Sequence, residues 1–166
     1  MGFACLIVVA WVYFFEGPLL MPDRALIENF ESHRSSFEKV VAMMEEDSQL
    51  KVSPNDTFTI LSSFPTPGFS TRRLNEYRAL FADLGTPRAT PVSRRSDEIE
   101  FSAVSAFSDI DYEFVVITKS YVYRKTPPST LVDSLDYKDF QNSSWGCKHI
   151  TGNWYLCFEL TISKPE

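Results

Sequence analysis

An α+β domain behind an apolar N-terminal segment is the architecture this sequence predicts, on three observations. Between Asp23 and Leu84 apolar residues recur every three or four positions, the period of helices packed by one face. From Glu98 onward they alternate or run continuously, as strands do. Ahead of both, Gly2–Phe15 reads GFACLIVVAWVYFF without a charge. The chain therefore divides into residues 1–22, a membrane anchor or signal-anchor, and residues 23–166, a single soluble domain with two amphipathic helices packed on a small antiparallel sheet.

The apolar start is short. Its fourteen uncharged residues would span about 21 Å as a helix, against a hydrocarbon core about 30 Å thick. A cleaved signal peptide is not expected, because no basic residue precedes the run and no small-x-small site precedes Asp23. Cys5 follows too few residues to be a lipid-attachment site. Trp11 and Tyr13 suit an interfacial belt, and Glu16 with Pro18 suits an exit, so a signal-anchor is the preferred reading. The alternative is a buried helix or strand of a soluble core. Arg24, Arg34 and Lys39 follow the segment and none precedes it, so the positive-inside rule does not favour an external C-terminus.

In the body, Asp23 after Pro22 is a good N-cap for a long helix with Leu26, Ile27, Phe30, Phe37, Val40, Val41 and Met44 on one stripe. That helix should end near Glu45, Glu46 and Asp47, where carboxylates oppose the macrodipole and the last turn should fray. Lys51–Asp56 reads as loop, Thr57–Leu61 as a short strand and Phe64–Phe69 as a connection. A second helix follows with Leu74, Tyr77, Phe81 and Leu84 on one face, and Gly85 stops it. Glu98–Val104 alternates, with Ile99, Phe101 and Ala103 inward, and Ser108–Asp111 resembles a turn. Tyr112–Arg124 is apolar on both faces, as a central strand is. Pro127 and Pro128 end it, Ser129–Asp136 is expected to form one helical turn, and a polar loop runs to Ser144.

The end of the chain reads as a hairpin, CKHI, TGN, WYLCFELTI. A three-residue loop Thr151–Asn153 sets Ile150 opposite Trp154, and counting outward pairs His149 with Tyr155, Lys148 with Leu156 and Cys147 with Cys157. Facing Cβ atoms lie about 4.5 to 5.5 Å apart, within reach of a disulfide at a non-hydrogen-bonded pair. Two small apolar residues packed on one sheet face remain the alternative, and a loop of two or four residues would move the register.

Composition excludes more than it selects. Aromatic residues make up 14% of the chain and charged residues 23%, with a net charge of −6. Such a chain folds around a core rather than staying disordered. It lacks the clustered Lys and Arg of a nucleic-acid-binding surface, and no nucleic-acid partner is expected. P-loop, G-x-G-x-x-G, G-x-S-x-G and H-E-x-x-H motifs are absent, so no cofactor and no catalytic residue is assigned. His33 and His149 lack metal-ligand spacing, and no metal site is expected. A nucleophile pair of Cys147 and His149 would be separated by a full strand repeat, which favours a core or disulfide role.

His33 is the position that departs from its pattern. It stands in the apolar stripe between Phe30 and Phe37, where a titratable ring needs a partner. The simplest expectation is a satisfied structural histidine, with ligand binding the sharper alternative. Arg34 beside it is either a solvated surface charge or the partner of a carboxylate of the sheet, and Glu45–Asp47 is most simply a solvated helix end, with cation binding the lesser reading.

The segments LIENFESHRSSFEKVVAMMEED, KSYVYR, LVDSLD and ITGNWYL together resemble a family of small bacterial membrane-anchored or lipoprotein-like proteins of unknown function. Phe30, His33, Arg34 and Phe37 match its helix pattern, and Gly152, Trp154 and Tyr155 its terminal pattern. The likeness covers most of Leu26–Leu156. It implies an extracytoplasmic domain at the cell membrane and supplies no activity; Cys5 departs from it by standing too early for lipidation. The expected function is a non-catalytic binding or interaction module. It would bind an envelope protein partner or ligand through an aromatic and Arg-bearing surface, for which His33, Arg34, Trp154 and Tyr155 are the candidates. The alternative is a small envelope enzyme, which requires a cleft gathering His33, Arg34 and a carboxylate.

Overall fold

The computed structural model describes residues 21–47, 70–85, 92–94, 97–110, 113–136 and 144–163. Helix α1 spans Asp23–Glu46 and buries Leu26, Phe30, Phe37, Val40, Val41 and Met44 along one stripe. Its N-cap is Pro22, not Asp23: the Pro22 carbonyl accepts from the Ala25 and Leu26 amides at 2.9 and 3.3 Å. Asp23 is the first helical residue, and its carboxylate turns inward, where the Lys119 ammonium (2.9 Å) and the Leu135 amide (2.7 Å) outcompete a cap. Helix α2, Thr71–Asp83, is capped by the Ser70 hydroxyl, which accepts from the Arg73 amide at 3.1 Å. It ends at Leu84 and Gly85, and Gly85 takes φ 65°, open to glycine without strain.

The acidic end of α1 is held rather than frayed. Arg73 of α2 donates to Asp47 and Glu46, both at 2.9 Å, and to the Met43 carbonyl at 3.2 Å, while Lys125 pairs with Glu45 at 2.8 Å. Two cations thus neutralise the carboxylates and the negative end of the helix dipole together. At the other end of the contact, Asn29 donates to the Leu84 carbonyl at 3.2 Å and Ser36 bonds Asp83. The two helices therefore run antiparallel.

Beneath them lies a five-stranded antiparallel sheet in the order β1-β2-β3-β5-β4, formed by Val92–Arg94, Glu98–Ile110, Glu113–Arg124, Trp145–Thr151 and Trp154–Ser163. β3 is central, as its two apolar faces require. β2 continues past Val104 to Ile110, because Ser108 and Asp109 are carried by pairing with Val115 and Phe114. A bulge between Ser102 and Val104 makes Ala103 the extra residue, so Val104 takes the buried place expected for Ala103. Residues 129–136 form no helical turn: Leu131 bridges Cys147 in parallel, and prolines 127 and 128 keep the backbone before it out of the helical region.

The core sits between α1 and one face of the sheet. Phe37 meets Tyr121, Phe101 and Trp154 at ring distances of 5.0, 5.2 and 5.8 Å, and Phe30 meets Trp154 at 5.0 Å. At the end of the sheet, the β4–β5 turn is Gly152–Asn153, two residues rather than three. A shift at Ile150 sets Thr151, not Ile150, opposite Trp154 and restores the outward pairs His149–Tyr155, Lys148–Leu156 and Cys147–Cys157. Among the described residues no helix is long and apolar enough to cross a membrane. The expected anchor at 1–22 lies almost wholly outside the described residues, as do Thr57–Leu61 and the Phe64–Phe69 connection.

Candidate functional site

α1 and the β4–β5 turn enclose an open groove of about 330 Å³. The helix contributes Arg34, Glu38, Ala42 and Glu45, which share a face because they stand three and four residues apart. The sheet contributes Tyr123 and the largely buried Trp154, with ring centroids 5.3 Å apart, and the turn contributes Gly152 and Asn153. Arg34 pairs with Glu38 at 2.8 Å along the rim, and that bond raises the Arg34 pKa further above its ordinary value. The groove thus has charged walls and the half-buried Tyr123 at its base, while Trp154, 3% exposed, belongs mainly to the core behind it.

Of the four residues singled out from the sequence, Arg34 and Trp154 meet here. His33, half-buried, faces away: its Nδ1 lies 2.9 Å from the Asn29 carbonyl, and its ring abuts Gly85, where an added Cβ would come within 2.6 Å of Cε1. It therefore packs the junction of α1 and α2. Tyr155 is buried on the opposite sheet face against His149, ring centroids 5.3 Å apart. The enzyme alternative asked for His33, Arg34 and a carboxylate in one cleft, and the two side chains lie on different sides of α1. Tyr123, Glu38 and Ala42 were not anticipated, and Glu45 was read as a solvated helix end; the i, i+4 repeat from Arg34 was the available signal for the helix residues, and none pointed to Tyr123.

Two further constellations involve chemistry-bearing groups. At the start of α1, Asp23 is buried among Lys119, Lys148 (3.4 Å) and the Leu135 amide, while its own amide donates to Asp136 at 2.9 Å. Burial alone would raise the Asp23 pKa, but the Leu135 amide and the lysines together outweigh it and hold the carboxyl below its ordinary value. Lys119 also donates to the Met21 carbonyl at 3.2 Å, which pins the chain where it enters the helix.

The second constellation is the bond between Cys147 and Cys157, whose Cα atoms are 4.1 Å apart. The Cys147 amide donates to the Thr130 carbonyl (3.1 Å) and its carbonyl accepts from the Val132 amide (2.9 Å). Both backbone groups face away from β5, so the cysteines occupy a non-hydrogen-bonded pair, the close-set kind. Beside Cys157, on the sheet face away from the helices, is a cleft of about 180 Å³. Among the described residues no group of three or more His, Cys, Asp or Glu could hold a metal ion.

Comparison with known proteins finds no family model, no curated protein and no solved structure that matches this chain.

Proposed function

We propose that this chain is a non-catalytic binding module held at a bacterial cell membrane by residues 1–22, its folded domain outside the cytoplasm, gripping an envelope partner in the groove between α1 and the β4–β5 turn. The observation that carries the binding role is the convergence of Arg34, Glu38, Tyr123 and the exposed turn residues Gly152 and Asn153 on one groove. The Cys147–Cys157 bond supports the location, because such bonds persist in oxidising compartments. The resemblance of the helix and terminal segments to membrane-anchored proteins adds to the same reading.

A photo-crosslinking residue in place of Ala42, exposed in the groove, tests the proposal in membranes from cells making the intact chain. A discrete adduct is expected from Ala42 and not from Ala82, exposed on α2. Equal labelling at both positions, or none at Ala42, would overturn the groove as the binding site.

A further inference from the structure

We propose that the Cys147–Cys157 bond is a reducible switch, opened by a thiol that enters the cleft on the sheet face away from α1 and α2, and that its opening loosens the start of α1.

Access decides which sulfur is attacked. Cys147 has no exposed surface, whereas Cys157 keeps 9% and lines the cleft. Strand order places β3 on the side of Cys157 away from Cys147, and the cleft is lined from that side by Ser120, the cross-strand neighbour of Cys157. Displacement at sulfur needs the nucleophile opposite the leaving sulfur, so the cleft lies where a thiolate must approach Cys157 to expel Cys147. Among the described residues Ser120 Oγ is buried without a hydrogen-bond partner, an uncommon state for a polar atom. Its hydroxyl is therefore available to donate to the arriving thiolate.

The exchange balances as follows. A thiolate bonds to Cys157 Sγ and the Cys157–Cys147 bond breaks, leaving the electron pair on Cys147 Sγ. A second thiolate then bonds to the reductant's sulfur in the mixed disulfide and expels Cys157 as a thiolate. Both cysteines take a proton from water, and the reductant, a small thiol or protein dithiol, leaves oxidised by two electrons. The cleft lining holds Glu98, Glu100 and Glu159 against Arg124, which itself faces Glu98 at 3.5 Å. That balance favours a cationic thiol over an anionic one.

The consequence travels through Cys147. Its side chain is tied to β5 and its backbone holds residues 130 and 132, beyond which Leu135 and Asp136 grip Asp23 at the head of α1. Freeing the sulfur frees the strand on which that grip rests.

The test uses the full-length oxidised chain, purified in mild detergent, so its outcome does not depend on where the chain resides in the cell. Rates of reduction by cysteamine, 2-mercaptoethanol and mercaptoacetate are compared per thiolate present. The expected order is cation, neutral, anion, with a spread of about tenfold at low salt that narrows at high salt. Acid-trapped mixed disulfides should sit on Cys157, and Ser120→Ala should slow reduction several-fold. On reduction, amide exchange at Val132, Leu135 and Leu26 should quicken by about tenfold or more. An adduct on Cys147, the reverse charge order, an unchanged rate in Ser120→Ala, or unchanged exchange at these amides would each overturn the proposal.

Discussion

Gly85 satisfies two constraints at once. Its φ of 65° lies where a side chain is strained, and an added Cβ would stand 2.6 Å from His33 Cε1 and 2.7 Å from Asn29 Oδ1. Gly85→Ala is therefore expected to cost about 3 kcal/mol in urea unfolding, combining backbone strain with overpacking. Adding His33→Ala should recover part of the steric share and none of the conformational share. Lys119 is the second sensitive position, since its removal leaves the buried Asp23 carboxylate, among the described residues, with the half-buried Lys148 as its one cation. Lys119→Met should cost about 3 kcal/mol, the range for breaking a buried pair. Because the folded pKa of Asp23 lies below its ordinary 3.8, its contribution is full above that value and is lost as acid takes the pH down through the lower, folded value. Tyr121 contributes on the alkaline side. Burial pushes its hydroxyl up to about 12, against a partial counter-effect from Asn29, so its contribution is full below the ordinary 10 and disappears as pH climbs to about 12. Tyr121→Phe should flatten that alkaline loss in pH-dependent unfolding. At this scale the sequence was only partly legible. That His33 needed a partner could be read from its place in an apolar stripe; the partner is the Asn29 carbonyl one turn earlier, and the packing of the ring against Gly85 depends on where α2 ends.

At the scale of elements, α2 is short and polar, and its docking depends on a few side chains. Arg73 binds two carboxylates and a carbonyl of α1, and Tyr77 donates to Asp47 at 2.7 Å. Arg73→Ala should cost about 2 kcal/mol in thermal unfolding, the range of charge-assisted bonds. Tyr77→Phe should cost less, because the ring stays in the core. These contacts explain why the acidic end of α1, which local dipole reasoning expects to fray, is ordered: the neutralising cations come from residues 73 and 125, distant in sequence. The β4–β5 hairpin was legible for the opposite reason. Its register follows from a glycine turn between two alternating runs, and the bulge at Ile150 leaves the outward pairing intact. Residues 129–136 were not, since a pattern of apolar and polar residues does not reveal that Cys147 offers its outer backbone edge. A Gly152→Val substitution, at φ 53° with open space around it, should strain the turn by about 1 to 2 kcal/mol without a steric clash, and should lower the yield of the Ala42 adduct.

For the whole molecule, the two-layer α+β architecture was readable from the change of period near Glu98, because a helix stripe and an alternating sheet each need the other to cover an apolar face. The groove was not, because it forms where the middle of α1 crosses the end of a hairpin more than a hundred residues later in the chain. Core integrity should rest on Phe37, which touches Tyr121, Phe101 and Trp154; Phe37→Ala is expected to cost about 4 kcal/mol in urea unfolding and to leave a partly folded chain. The proposal made for the whole molecule is that this domain works outside the cytoplasm, tethered to the membrane, with the Cys147–Cys157 bond intact. Alkylation of the chain in fractionated cells, without reductant and followed by peptide mass mapping, tests it most directly. Cys147 and Cys157 are expected from the membrane fraction as one linked peptide pair, unalkylated until reductant is added; both cysteines alkylated without reductant, on a chain in the soluble fraction, would overturn the proposal.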